Sequence, residues 1–166
     1  MQVDQIDAGI IAALQKNARL SNKALAAEVH ISESSCLVRV RRLVEQGTIT
    51  AFRANVDLKA LGRPLEAMIA IRYRHTQRMN VEDFVESIRE LPETLELYHL
   101  TGAQDYLLHV AVPDTESLRR FVLESLLRRP EIERLQTSLI YEHYEKPVVE
   151  VLPDSNQPAG TPRGQR

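Results

Sequence analysis

Cysteine occurs once in these 166 residues, tryptophan not at all, and aromatic residues make up only 5% of the chain. A single thiol, Cys36, excludes an intrachain disulfide and a Cys-rich zinc site. The five histidines (His30, His75, His99, His109, His143) are scattered with no His-x-x-x-His pair, so no bound metal is expected. Long apolar runs are lacking as well: stretches such as 67–71 and 106–112 fall far short of the roughly 18 residues that cross a bilayer. No membrane helix is expected. The first residues, Met1 to Asp7, do not form a basic segment followed by an apolar one, so no secretory signal is read and the expected address is cytoplasmic. What the chain does have is 43% hydrophobic and 27% charged residues at a net charge of −2. That is enough apolar material for one or two packed cores and too much for wholesale disorder.

The near-neutral balance hides an asymmetry. Residues 1–60 carry eight Lys/Arg against six acids, whereas residues 61–152 carry eleven against sixteen. A slightly basic head on an acidic body points to two jobs. In the head, Ile6, Ile10, Ile11 and Leu14 recur at helical spacing, with Asp4 as N-cap and Asp7 favourably placed against the helix dipole. Ser21 caps a short second helix that buries Leu25, Ala26 and Val29 and breaks near His30 and Ile31. Ser32 caps a third helix through Gln46 with an apolar stripe of Cys36, Leu37, Val40, Leu43 and Val44, and Gly47 stands where a left-handed residue closes a helix. The run 48–56 is rich in β-formers and reads as an extended arm or short hairpin, ended by the breaker Leu61-Gly62-Arg63-Pro64.

Beyond it, the pattern is strand (65–73), helix (81–91), strand (95–100), strand (106–112), helix (115–127) and strand (135–144). Pro92 and Pro130 close the helices, and Asn80 and Asp114 or Thr115 open them. Two interleaved β-α-β halves give an α+β, ferredoxin-like four-stranded antiparallel sheet with both helices on one face. The expected domains are therefore a head over 1–50, an arm and linker over 51–64, a ferredoxin-like domain over 65–152 and a disordered tail over 153–166. The sheet's other face is assigned Ile71, Leu97, Leu108, Val110 and Leu139, too apolar for open water. That predicts sheet-to-sheet pairing into a homo-oligomer, against the alternative that the arm or head of the same chain covers them.

Two short helices joined by a tight break, the second one basic, are the minimal grammar of a helix-turn-helix. At 100° per residue the stripe of the third helix leaves Ser34, Ser35, Val38 and Arg42 opposite it, flanked by Arg39 and Arg41. Such a face fits a major groove: arginine pairs with guanine, serine donates to bases or phosphates, and Val38 meets a thymine methyl. Ser21, Asn22 and Lys23 open the preceding helix, where free backbone N–H groups and a lysine favour phosphate. Three amphipathic helices with an arginine-rich surface also occur in proteins that never meet DNA, and periodicity alone leaves both readings open. Cys36 reads as a small core residue. In the second domain, Gly102 permits a tight turn, Asp105 offers a carboxylate, and Tyr106 adds an apolar wall with a polar tip, the parts an amino-acid ligand needs. An ordinary Gly/Asp turn, with Asp105 bonded to its own backbone, explains the same residues.

The run Asp4-x-x-Asp7-x-x-Ile10-x-x-x-Leu14-Gln15-x-Asn17-Ala18-Arg19-x-Ser21, followed by Leu25-Ala26 and Ile31-Ser32-x-x-x-Cys36-x-x-Arg39-Val40-Arg41-Arg42-Leu43-x-x-x-Gly47-x-Ile49, resembles the head of the Lrp/AsnC (feast/famine) transcriptional regulators. The run Leu100-Thr101-Gly102-Ala103-Gln104-Asp105-Tyr106 resembles the family's Gly-x-x-Asp-Tyr turn, so the resemblance covers nearly everything except the tail. One departure is Ser32-Glu33-Ser34-Ser35-Cys36, where the family often has Ser-Pro-Thr-Pro-Cys. The resemblance implies a winged helix-turn-helix joined to a RAM/ACT-like domain, with double-stranded DNA as partner and an amino acid as effector. It places Thr101, Gly102, Asp105 and Tyr106 in an effector site at an interface between dimers. No nucleophile, base and orienter recur at motif spacing and no glycine-rich phosphate loop is present, so neither an enzyme nor a cofactor is expected. The alternative function is a ferredoxin-like module that regulates a metabolic enzyme through protein contacts.

Overall fold

The computed structural model describes residues 3–74 and 80–152. The tail expected to be disordered, 153–166, lies outside the described residues. The chain divides into two compact units, one formed by residues up to Ala54 with those from Tyr144 onward, the other by Asn55–His143.

In the first unit, helix α1 (Gln5–Lys16) opens at Asp4, whose carboxylate accepts the Asp7 N–H at 2.8 Å. Helix α2 (Asn22–Glu28) opens at Ser21, whose hydroxyl accepts the Ala24 N–H at 3.2 Å. It closes through His30, which takes the left-handed conformation at φ 56°. The His30 N–H reaches the Ala27 carbonyl and the Ile31 N–H the Ala26 carbonyl, so the helix's last carbonyls are satisfied while the chain turns sharply. Helix α3 (Glu33–Glu45) follows from its N-cap Ser32 and ends at Gly47, φ 72°. Ile10 and Ala13 of α1, Leu25 and Ala26 of α2 and Cys36 and Leu43 of α3 form the buried centre.

Three features of this unit depart from the sequence reading. Leu37 and Val44, assigned to the buried stripe of α3, are 41% and 42% exposed, because the helix turns a narrower arc toward its neighbours. Of the two forms read for residues 48–56, an extended arm or a short hairpin, the hairpin does not form: β-formers make a strand only against a partner edge, and no described segment pairs with them. Residues 144–152, read as part of the second domain, group with the head, where the Gln15 side-chain amide exchanges two hydrogen bonds with the backbone of Val149, at 3.0 and 2.8 Å.

The second unit runs β1 (Leu65–Tyr73), α4 (Val81–Arg89), β2 (Thr94–His99), β3 (Tyr106–Val112), α5 (Thr115–Phe121) and β4 (Ile132–Leu139), in an antiparallel sheet of order β2-β3-β1-β4. The helix expected over 115–127 is α-helical only to Phe121. It continues as one π turn, Val122–Leu126, in which the Leu127 N–H reaches the Val122 carbonyl at 2.9 Å. Strand β4 begins and ends earlier than expected because its pairing with β1 runs from Tyr73↔Ile132 to Ala67↔Leu139. The β1 edge then gives out near Pro64, which has no N–H to offer.

The faces of the sheet are the larger correction. Ile71, Leu108 and Val110, expected on the outer face, are fully buried against the helices together with Ile69, Phe84, Ile88 and Leu126, and Leu97 packs on the same cluster. Leu139 lies on that side too, at the end of its strand. Hydrophobic content alone cannot tell one face of a two-sided strand from the other. In β1 and β3 both faces are apolar enough to mislead, and a one-residue shift of phase exchanges them. The outer face carries Met68, Ala70 and Arg72 of β1, Leu107, His109 and Ala111 of β3, and Tyr98 of β2. His109 is held there at 2.9 Å from Glu66.

Leu108→Ala leaves a cavity at the centre of the helix-facing core and is expected to lower the unfolding free energy by about 2–5 kcal/mol. Urea denaturation followed by circular dichroism measures it; a loss below about 1 kcal/mol contradicts the placement of Leu108 against the helices.

Candidate nucleic-acid interface and ligand-binding turn

Helix α3 does not present all of its arginines to solvent. Asp7, 1% exposed, reaches from α1 and accepts Arg39 Nη1 at 2.8 Å on one carboxylate oxygen and Arg42 Nη2 at 2.5 Å on the other. Arg39 Nη1 also donates to Asp4 at 2.6 Å. The Asp7 N–H bond and the Arg39 guanidinium hold the Asp4 carboxyl below the ordinary carboxylate value. The Arg39 guanidinium is in turn held above its usual range by Asp4 and Asp7. Arg42, expected opposite the apolar stripe, and Arg39 beside it therefore lie along the flank of α3 that faces α1. The reason is energetic: a buried carboxylate is costly unless paired, and these two guanidiniums are within reach of it.

What remains outward is narrower. Val38 is 65% exposed, and Ser34, Ser35 and Arg41 share the exposed side of α3. Among the described residues Arg41 makes no ion pair. The hydroxyls of Ser34 and Ser35 lie 3.1 and 2.9 Å from that of the N-cap Ser32, so a cluster of hydroxyls marks the start of the helix. Ser21 is spent as N-cap of α2. Asn22 donates to the Glu33 carbonyl at 2.8 Å, bracing the start of α2 against the start of α3. Lys23 is exposed beside them. Ser34, Ser35, Val38 and Arg41 thus share the exposed side of α3 and Lys23 is exposed on α2, whereas Asn22, Arg39 and Arg42 have structural partners.

In the second unit the turn between β2 and β3 is built around Gly102, whose φ of 114° favours glycine. Thr101 and Gly102 are exposed. Asp105 accepts the Tyr73 N–H at 2.7 Å and faces Arg72 Nε at 3.5 Å, so its carboxylate fastens the turn to β1. Arg72 Nη1 also donates to the Gly102 and Ala103 carbonyls at 3.3 and 3.2 Å. Tyr106, read as a wall of a ligand pocket, is instead 2% exposed, with its ring centroid 5.4 Å from that of Phe84 and 4.8 Å from that of His99. It belongs to the core beneath the turn, because the first residue of β3 points to the helices. Burial raises its hydroxyl above the usual tyrosine range.

The sequence reading missed Asp7 as a pairing group and Arg72 altogether. A signal for the first was available: Asp4 and Asp7 are spaced by three, as are Arg39 and Arg42, so one turn of each helix presents matching charges. For Arg72 there was none, because its partners come from a turn about thirty residues away.

A family model described as the Lrp/AsnC ligand binding domain matches residues 66–148, and one described as winged helix-turn-helix DNA-binding matches residues 3–50. The chain is 42% identical over 142 residues to the HTH-type transcriptional regulator AldR of Mycobacterium tuberculosis, which covers 86% of this chain and 79% of that protein. It is 33% identical over 144 residues to the leucine-responsive regulatory protein of Escherichia coli, covering 87% and 88%. Among solved structures, a transcriptional regulator from Neisseria meningitidis in complex with L-Met superposes with a TM-score of 0.82 at 32% identity, covering 87% of this chain and 94% of that one.

Asp7→Asn keeps the side-chain shape and removes the charge that receives both guanidiniums. It is expected to destabilise the head by about 1.5–3 kcal/mol, the range for hydrogen bonds to charged groups. Thermal or urea unfolding reads the loss; an unchanged transition contradicts the pairing.

Proposed function

The chain belongs to the Lrp/AsnC family, whose matched relatives are DNA-binding transcriptional regulators rather than enzymes, and from that premise we propose that it reads duplex DNA with the exposed side of α3 and is switched by an amino acid. The observation that carries the reading is the exposed constellation of Ser34, Ser35, Val38 and Arg41 on a helix whose other flank is locked to α1. Arg41 is the cation placed to meet base edges, and Val38 the group placed to meet a thymine methyl. Lys23 and the hydroxyls near Ser21 and Ser32 contact phosphate and fix the register. Arg42, paired but at the rim, supports the helix and adds phosphate contact at its edge.

The second domain serves assembly and control. Its outer sheet face, with Met68, Ala70, Leu107 and Tyr98 around His109, packs on the same face of a second copy, and pairs of such dimers meet around the Thr101–Asp105 turn. An amino acid bound there favours one arrangement of dimers over another and so decides which DNA half-sites the heads reach together. A coupling of about 1–3 kcal/mol is enough for such a switch. The Neisseria regulator, solved with L-Met, supports the ligand class.

Fluorescence anisotropy with operator and random duplexes tests the head. Arg41→Ala is expected to lose discrimination of about 1–3 kcal/mol between the two. Lys23→Ala is expected to weaken both and to reduce the salt slope by about one. Full operator discrimination by Arg41→Ala contradicts the assigned face, and absence of salt-dependent duplex binding by the parent favours a protein-docking module.

Leu107→Glu places a charge on the outer sheet face and is expected to lower the oligomeric mass by at least one association step in sedimentation velocity. An unchanged mass distribution contradicts sheet-to-sheet pairing.

A further inference from the structure

A buried imidazole lies on the outer face of the sheet. His109, 7% exposed, sits between Met68 of β1 and Glu96 of β2, its partners across the two ladders. Its Nε2 lies 2.9 Å from Glu66 Oε2 and its Nδ1 3.9 Å from Glu96 Oε2, so each ring nitrogen faces a carboxylate. A neutral imidazole has one N–H and one lone pair, and the lone pair is set against the carboxylate it faces; only the protonated ring offers a donor to both. The Tyr98 hydroxyl also donates to Glu96, and that bond lifts the phenol above its ordinary range, so Tyr98 stays neutral. Among the described residues no other cation pairs with Glu66 or Glu96.

In a single chain water screens this cluster, because the side chains of Glu66 and Glu96 are 26% and 57% exposed. A second copy laid on the face removes that screen. Met68, Ala70 and Leu107, the apolar groups that suit the face to pairing, adjoin the cluster on β1 and β3. Burying the two carboxylates is costly unless each meets a cation, and His109 is the group in reach that can become one. The arginines of the strands are placed elsewhere: Arg72 and Arg134 stand opposite each other on β1 and β4, and Arg72 is already turned to Asp105 and to the Gly102 and Ala103 carbonyls.

We infer that pairing of two sheet faces takes up a proton at His109 of each chain, so that mild acid strengthens self-association and alkali loosens it. The inference rests on the reading of the outer face as the pairing surface and adds to it the group that makes the strength of pairing depend on pH. The charged imidazole is favoured more in the pair than in the single chain. Its contribution is therefore present at low pH and is lost as pH rises through the range in which an imidazole gives up its charge. Below about pH 5 the glutamates begin to be neutralised in turn, which removes the charge that the imidazolium answers and bounds the effect on the acid side.

The test is sedimentation equilibrium of the full chain between about pH 6 and about pH 8 at constant ionic strength, beside His109→Gln and Glu96→Gln. The parent's dissociation constant is expected to rise about ten-fold or more across that range, and that of His109→Gln, whose amide cannot change charge, to vary less than about two-fold. Glu96→Gln alters only an exposed side chain and is expected to show a weaker pH dependence than the parent. A parent constant that is independent of pH, or that falls toward alkali, overturns the proton uptake while leaving the pairing of the faces intact. An undiminished pH dependence in either variant assigns the titration to other groups and overturns it as well. A parent that stays a single chain at every pH removes the pairing reading and this inference together.

Discussion

The head depends on a carboxylate that water does not reach. Asp7 is buried at the seam between α1 and α3, and a charge in that position is tolerated only because Arg39 and Arg42 close on it from the facing helix. The pairing fixes the roll of α3 about its own axis. With that roll set, Cys36 and Leu43 point into the core, and Arg41, Ser34 and Val38 point away from it. Two of the three arginines in the Arg39–Arg42 stretch are thereby committed to architecture. The outward face carries less positive charge than composition suggests, which favours discrimination over indiscriminate attraction to phosphate.

The same economy governs the second unit. Asp105 and Arg72 fasten a glycine turn to the neighbouring strand through a backbone N–H, a carbonyl pair and an ion pair, while Tyr106 supports the turn from the core. The turn is thus held both from the core below it and from the strand beside it. The sheet divides its residues by face: β1 and β3 contribute alternating side chains to a core beneath the helices and to the outer face.

Much of this was legible in the order of residues. Asp4, Ser21, Ser32, Asn80 and Asp114 each open the helix expected of them, and the β-α-β-β-α-β sequence gives the observed sheet. Those features are local: a cap needs only its own first turn, and a strand or helix announces its period within ten residues. The features that were misread depend on partners remote in sequence. Which side of β3 faces the helices is decided by its phase against β1, not by the apolarity of Leu108 or Leu107 taken alone. Whether Arg42 reaches DNA or an acid is decided by Asp7, thirty-five residues earlier. Tyr106 looked like a binding wall because a tyrosine after a Gly/Asp turn fits either role, and only the direction of the strand separates them.

The claim on which the functional account turns is that the outward side of α3, with its roll set by Asp7, occupies the major groove. Dimethyl sulfate footprinting of the protein on its operator tests it most directly, since the reagent reports guanine N7 in the major groove and adenine N3 in the minor. The account predicts protection of guanine N7 within each half-site, with adenine N3 left reactive at the same positions. Protection confined to adenine N3, or no protection of guanine N7 in a saturated complex, contradicts it.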